Sequence, residues 1–374
     1  MEIRTITCHN VYNYGASLQA FALQTYLESQ GHKVKIIDYR PSYLDIHYRL
    51  STFISRDLYV YKPRLKKWYI KYPFVIYRYL ISLKDYSRKR AFDKFKKQYY
   101  HLTSKYKNIS DLKKEIYSDV YIAGSDQIWN SVFMENGKDP AFYLDFVPDN
   151  KIKISYAASF GANDIDRTYA LSIKGYLERF DAISIREKSG IDILDSLGIK
   201  SHLVCDPVFL LNKQQWESFC FVPKISKYVL IYNIGSIDQN IVDKAMELVN
   251  LYKFKVISIK DKNNISEANE NLEDVGPIEF ISYIKNAEFI LSNSFHATAF
   301  SLILKKQFYT FQFTDLSNSS RMINLLNLFN LNDRFNPVLN SPINNIDYHN
   351  ICNLTDTFAE QSRSWLNKAI GSHE

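Results

Sequence analysis

Apolar spacing along the chain alternates short β-type runs with helix-period segments. Residues 3–8 form a strand pattern, 9–17 a polar loop, 18–29 a helix that ends at Gly31, and 34–39 the next strand, so the chain opens with a βαβ unit. The rhythm resumes with strand patterns at 119–123 and 152–158, each followed by a small polar turn. A helix at 167–180, a strand at 182–185, a helix at 190–197 and a strand at 203–205 ending in Asp206-Pro207 complete this first series. Residues 208–227, with Trp216 and Pro223, read as a crossover. A second series follows: strand 228–234, helix 239–252, strand 255–259, helix 277–286, and then a strand–turn–helix–strand unit over 287–313. Helices at 320–329 and 357–370 close the chain.

This pattern predicts an α/β protein of two Rossmann-like domains facing a cleft. The expected layout is a first domain over 1–207, a linker over 208–227, a second domain over 228–345, and a tail over 346–374 whose helix packs back on the first domain. Where such strands are parallel, the turns after them share one carboxyl rim, which is where open α/β sheets bind ligands. The turn at 292–295 begins the helix that carries His296, and it is followed in that unit by the strand at 307–313.

Composition alters the picture at one place. Between residues 56 and 107 there are sixteen Lys/Arg against three Asp and no Glu, a local +13, while the remaining 31 basic and 37 acidic residues give −6. This stretch is a basic insert in the first domain, helical in spacing from Tyr77 onward, and interleaved with Tyr59, Tyr61, Trp68, Tyr69, Tyr72 and Phe74. Cations mixed with aromatics suit an anionic membrane surface, and they equally suit single-stranded nucleic acid or a solvated hairpin packed on the sheet. The hydrophobic content of 46% excludes a disordered chain. Cys8, Cys205, Cys220 and Cys352 form no C-x-x-C pair, so neither a disulfide framework nor a zinc cluster is expected and a reducing cytoplasm is the expected home. The start of the chain lacks a signal-peptide layout, and its apolar windows are broken by charge, as by Lys71 and Arg78.

The loop at 13–17, Asn-Tyr-Gly-Ala-Ser, holds a single glycine and no G-x-G-x-x-G, and no Walker-type loop occurs, so a nucleotide cofactor is not indicated. Gly15 is either a plain turn glycine or a place where a ligand meets the backbone. Asp126, Ser159 and Arg186 follow three strands and would share one rim; each taken singly is equally a cap or an ion pair. His296 beside Ser292, Asn293 and Ser294 at a helix N-terminus suits an anion, with an imidazole to add a proton. The D-x-D at Asp164–Asp166 is a weak match and H-E-x-x-H is missing, so no metal site is expected.

Six blocks together carry a family resemblance: Asn13-Tyr14-Gly15-Ala16-Ser17-Leu18-Gln19, Gly124-Ser125-Asp126-Gln127-Ile128-Trp129-Asn130, Tyr156-Ala157-Ala158-Ser159-Phe160-Gly161, Arg186-Glu187-Lys188-Ser189-Gly190, Asp206-Pro207 and Ser294-Phe295-His296. In that order and spacing the chain resembles polysaccharide pyruvyl transferase family proteins from about residue 3 to about 335. The resemblance implies a fold like that of glycosyltransferases of the B type, and transfer of a pyruvyl group from phosphoenolpyruvate to two hydroxyls of a sugar as a ketal. The acceptor it implies is a cell-surface saccharide or its lipid-linked precursor, and the basic insert over 56–107 is expected to hold the protein at the inner face of the cell membrane near a polyprenyl-linked acceptor. It assigns catalysis to His296 and Asp126, and substrate binding to Arg186, Asn13, Gly15, Ser125, Gln127, Ser159 and Ser294. Many members carry an Arg two residues before the motif His, where this chain has Ser294, so Arg321 is expected to supply that charge. No cofactor, metal or nucleic acid is expected. The alternatives are a nucleotide-sugar-dependent glycosyltransferase on the same scaffold and a non-catalytic saccharide-binding protein.

Overall fold

A computed structural model describes residues 1–41, 43–44, 67–69, 72–74, 76, 86–114, 117–131, 138–261, 263–312 and 316–371, with the side chains of 316–320 outside the description. The described strands are β1 (Glu2–Ile6), β2 (Lys33–Tyr39), β3 (Leu102–Tyr106), β4 (Val120–Ala123), β5 (Ile152–Ala158), β6 (Ala182–Ile185), β7 (His202–Leu203), β8 (Tyr228–Tyr232), β9 (Lys255–Ile259), β10 (Glu270–Leu272), β11 (Phe289–Ser292) and β12 (Gln307–Thr310). They form two sheets ordered β3-β2-β1-β4-β5-β6-β7 and β10-β9-β8-β11-β12. Every pairing is parallel.

The two orders follow one plan, in which the chain runs outward from a central strand, returns to its other side and runs out again. Each sheet therefore has a switch point, between β1 and β4 and between β8 and β11, where the loops diverge and leave a crevice at the carboxyl ends. Central strands β4, β8 and β11 are buried along their whole length because helices cover both faces. The expectation of two Rossmann-like domains on a glycosyltransferase B-type plan is the architecture observed.

Boundaries differ at several places. The strand expected at 203–205 is the two-residue β7, and the strand expected to reach 313 ends at Thr310, with 313 itself outside the described residues. The closing helix spans Tyr348–Gly371 and lies against the first sheet: Ser362 Oγ accepts from Cys205 N at 2.9 Å, and Arg363 Nε donates to Leu210 O at 3.1 Å.

Of the basic insert, residues 56–66, 70–71, 75 and 77–85 lie outside the described residues. Its helix Tyr86–Tyr99 is described, and it packs inward. Phe92 and Phe95 are buried, Phe92 lies 5.0 Å from the Tyr14 ring, and Arg88 Nη1 reaches Asp261 Oδ1 of the second sheet at 3.4 Å. Trp68, Tyr69 and Tyr72 are exposed. Among the described residues no helix is long and apolar enough to cross a membrane.

The helix Tyr14–Ser29 joins the halves. It is buried around most of its circumference, since one face meets the first sheet while another meets the helices Pro277–Asn286 and Phe295–Ile303. Tyr14 stacks on Phe280 with ring centroids 4.3 Å apart and donates its hydroxyl to Val275 O at 2.9 Å. One apolar core consequently runs from Ile3 and Ile122 to Leu230 and Ile290.

Candidate active site

The turn after β4 is anchored from beneath. Trp129 is fully buried, donates Nε1–H to Phe142 O at 3.1 Å and stacks on Tyr143 at 5.4 Å, which fixes the preceding Ser125, Asp126 and Gln127 on the carboxyl rim. Asp126 adopts φ 79°, a region an L residue enters at some cost and one that recurs at functional sites. Arg186 leaves the end of β6 toward the same turn. It is 8% exposed, and its Nη1 donates to Asp206 Oδ2 at 2.6 Å. Its Nη2 stands 3.8 Å from Asp126 Oδ1 and its Nε 3.8 Å from Glu187 Oε2, too far for hydrogen bonds, and neither nitrogen has another partner among the described residues. The Phe295 ring lies 5.2 Å from Cζ of the same guanidinium.

Asp206 follows β7 and caps the 3₁₀ turn Pro207–Leu210 by accepting from Val208 N at 3.1 Å. Burial works to raise this carboxyl, but His296 and then Arg186 outweigh it and hold it well below the usual carboxylate range. His296 Nε2 lies 3.5 Å from Asp206 Oδ2. The imidazole comes from the other sheet, in the first turn of the helix Phe295–Ile303, whose N-cap is Ser294.

The approach of that ring explains Gly15. A Cβ at residue 15 would sit 2.0 Å from His296 Nδ1 and 2.4 Å from Cγ, so only glycine admits the imidazole. Gly15 was expected either as a plain turn or as a place for ligand to meet the backbone, and what meets it is the histidine of the opposite half.

Arg321, in the helix Leu316–Leu328, joins the same group of charges. Burial and the neighbouring Arg186 push its guanidinium down to about 10, against the pull of Glu187, Asp126 and Asp206. The Gln127 amide, assigned from its neighbours, turns its oxygen to Arg321, which donates Nη1–H and Nη2–H at 2.9 and 2.5 Å. Gly161 makes room for that amide: at φ +63° it is in the left-handed region, and a Cβ there would meet Gln127 Cδ at 2.8 Å.

The structure thus brings together His296, Arg186, Asp126, Ser125, Gln127 and Arg321. Ser125 Oγ sits 3.4 Å from Asp206 Oδ2. The others hold the frame. Ser159 is fully buried and gives its hydroxyl to Glu187 Oε1 at 2.6 Å, Asn13 caps the helix Tyr14–Ser29 by accepting from Ala16 N at 3.1 Å, and Ser294 Oγ accepts from Ala297 N at 3.5 Å. Two residues of the cluster were not assigned a role from sequence. Asp206 stands between apolar residues in Val204-Cys205-Asp206-Pro207-Val208, and a lone carboxylate in such a run demands a buried partner. Glu187 gave no comparable signal. Among the described residues no group of three or more His, Cys, Asp or Glu is arranged to hold a metal ion.

A model of the polysaccharide pyruvyl transferase family matches residues 13–312. Comparison with curated protein sequences gives no match. Among solved structures, a putative UDP-N-acetylglucosamine 2-epimerase from Listeria monocytogenes is similar with a TM-score of 0.52 and 8% identity, covering 100% of this chain and 96% of that one. The UDP-GlcNAc 2-epimerase from Methanocaldococcus jannaschii gives a TM-score of 0.48 and 12% identity over 97% of this chain and 94% of its own. At 8% identity the Listeria likeness is one of fold.

Proposed function

The chain belongs to the polysaccharide pyruvyl transferase family, and from that membership together with the geometry of the rim we propose that it moves the pyruvyl group of phosphoenolpyruvate onto two hydroxyls of a saccharide, forming a ketal. The observation that carries the choice of donor is the Nε/Nη2 edge of Arg186. This is a planar two-donor fork, enclosed by protein, that makes no hydrogen bond among the described residues, and its guanidinium shares the Asp206 carboxylate with the His296 imidazole. Such a fork matches a carboxylate or phosphate oxygen pair, and the enclosure strengthens the contact.

In this reading Arg186 holds the donor carboxylate and Arg321 the phosphate. His296 protonates the methylene carbon, which becomes the methyl group, and the positive charge that develops at the adjacent carbon is taken by a sugar hydroxyl whose proton passes to Asp126. Phosphate then departs with its bonding electron pair, and the second hydroxyl closes the ketal as its proton leaves with the phosphate. Atoms balance without an oxidant or reductant. The acceptor in this proposal is a cell-surface polysaccharide or its lipid-linked precursor, handled at the inner face of the membrane.

A thermal-shift series separates the donors, because a ligand that binds only the folded state raises the melting temperature with concentration over Kd. Phosphoenolpyruvate is expected to stabilise the protein and, with acceptor, to release phosphate and add a carboxyethylidene group visible by mass spectrometry. Stabilisation by a nucleotide-sugar, with hexose addition and phosphoenolpyruvate inert, would overturn the proposal in favour of glycosyl transfer.

A further inference from the structure

We propose that Asp206 is a positioning residue that keeps the His296 imidazole charged and aimed as a proton donor, through a contact made only across the junction of the two sheets. The proposal rests on the reading of His296 as the acid. Two features of the geometry support it. The first is that the imidazole is wedged between fixed neighbours, with its Nδ1 edge against the backbone of Gly15 and its Nε2 3.5 Å from Asp206 Oδ2. The second is that Nε2 makes no hydrogen bond among the described residues. Asp206 is thus near enough to stabilise an imidazolium by its charge, yet it leaves the Nε2 hydrogen for another acceptor.

The carboxylate is itself immobilised. Asp206 has a fully buried side chain, Oδ2 takes Arg186 Nη1 at 2.6 Å, and Oδ1 takes Val208 N at 3.1 Å. The surrounding charges set the balance. Arg186 from the end of β6 and Arg321 from the helix Leu316–Leu328 oppose a charged imidazole, while Asp126 after β4 and Glu187 beside Arg186 offset them at 3.8 Å from that guanidinium. Among the described residues Asp206 is the only carboxylate within 4 Å of a His296 ring nitrogen. Its Oδ2 accepts from Arg186 Nη1 at 2.6 Å and faces the imidazole at 3.5 Å, so one oxygen lies beside both positive charges.

The test is NMR of ¹⁵N-labelled imidazoles in the full chain across pH, with the His296 signal identified by its loss in His296→Gln. In Asp206→Asn the proton affinity of His296 is expected to fall roughly tenfold or more, because an adjacent opposite charge typically shifts a titration by one to three units. In Arg186→Met, which removes a like charge and frees Asp206, it is expected to rise. A His296 titration midpoint equal to the wild type in Asp206→Asn overturns the proposal. Should that variant not fold, an unchanged or lowered midpoint in Arg186→Met overturns it instead. These readouts need no turnover, so a wild-type protein that ignores phosphoenolpyruvate sinks the donor assignment while the role of Asp206 is still decided. Where turnover is present, the high-pH limb of the pH–rate profile is expected to move to lower pH with Asp206→Asn, which loss of packing alone would not produce.

Discussion

Gly15 lies under the His296 ring with no room for a methyl group, and this makes it a sensitive site in the molecule. Gly15→Ala is expected to push the imidazole away from Asp206 and lower kcat by about 10- to 100-fold, since misplacing a catalytic group by about an ångström has effects of that order. Donor KM should change less, because Arg186 stays in place. Steady-state kinetics with varied phosphoenolpyruvate tests this, and wild-type turnover would remove the imidazole from the chemistry. Arg321 makes the opposite kind of case. Its folded value of about 10 lies below the ordinary value, so the fold disfavours its charge at every pH below about 10, and that penalty fades as pH rises from there toward the unfolded value. Arg321→Gln is therefore expected to raise the melting temperature of the free protein at pH 7 while weakening phosphoenolpyruvate binding about 10- to 150-fold, the range for a lost charge-assisted contact. A melting temperature that falls would contradict this balance of charges. Asp206 has the reverse sign: its carboxyl is held low, so the stability it contributes is complete above the ordinary carboxylate range and is lost as pH falls below it.

At the scale of elements, the turn after β4 depends on its buried tryptophan. Trp129→Ala removes a fully buried ring, its stack on Tyr143 and its bond to Phe142 O, and is expected to cost about 3–5 kcal/mol. Urea denaturation measures that loss directly, and a change below about 1 kcal/mol would mean the turn is held by other contacts. Elements with strong local signals were legible in the sequence. The helix Gln239–Tyr252 starts after the capping Asp238, and Pro277–Asn286 starts at a proline just past Gly276. The edge strands β3 and β10 were not legible, because Leu-Thr-Ser-Lys-Tyr and Glu-Asn-Leu are half exposed and lack the apolar run that marks a central strand. The candidate site divides in the same way. His296, Asp126 and Arg186 sit at strand or helix ends, where rim position follows from the βα rhythm. The contact of Gln127 with Arg321 and that of Asp206 with His296 join residues far apart in sequence, and no local pattern encodes them.

For the whole molecule, the strand orders of the two sheets suggest a pair of independent halves, but the packing between them does not. Tyr14 is stacked on Phe280 and bonded to Val275 O, and a single buried apolar cluster has members in both sheets. The consequence is one of cooperativity. Pulling the halves apart would strip apolar surface from both, so neither is expected to survive the loss of the other, and heating is expected to give one calorimetric transition with matching van't Hoff and measured enthalpies. Two resolved transitions would contradict this. Cleavage in the crossover, or expression of residues 1–211 alone, is expected to leave an aggregating fragment with an exposed greasy seam rather than a stable domain. The boundary that is visible in the strand order is thus expected to leave no trace in the unfolding thermodynamics, and Tyr14, next in sequence to the Gly15 that the His296 ring is wedged against, ties the seating of that imidazole to the integrity of the seam.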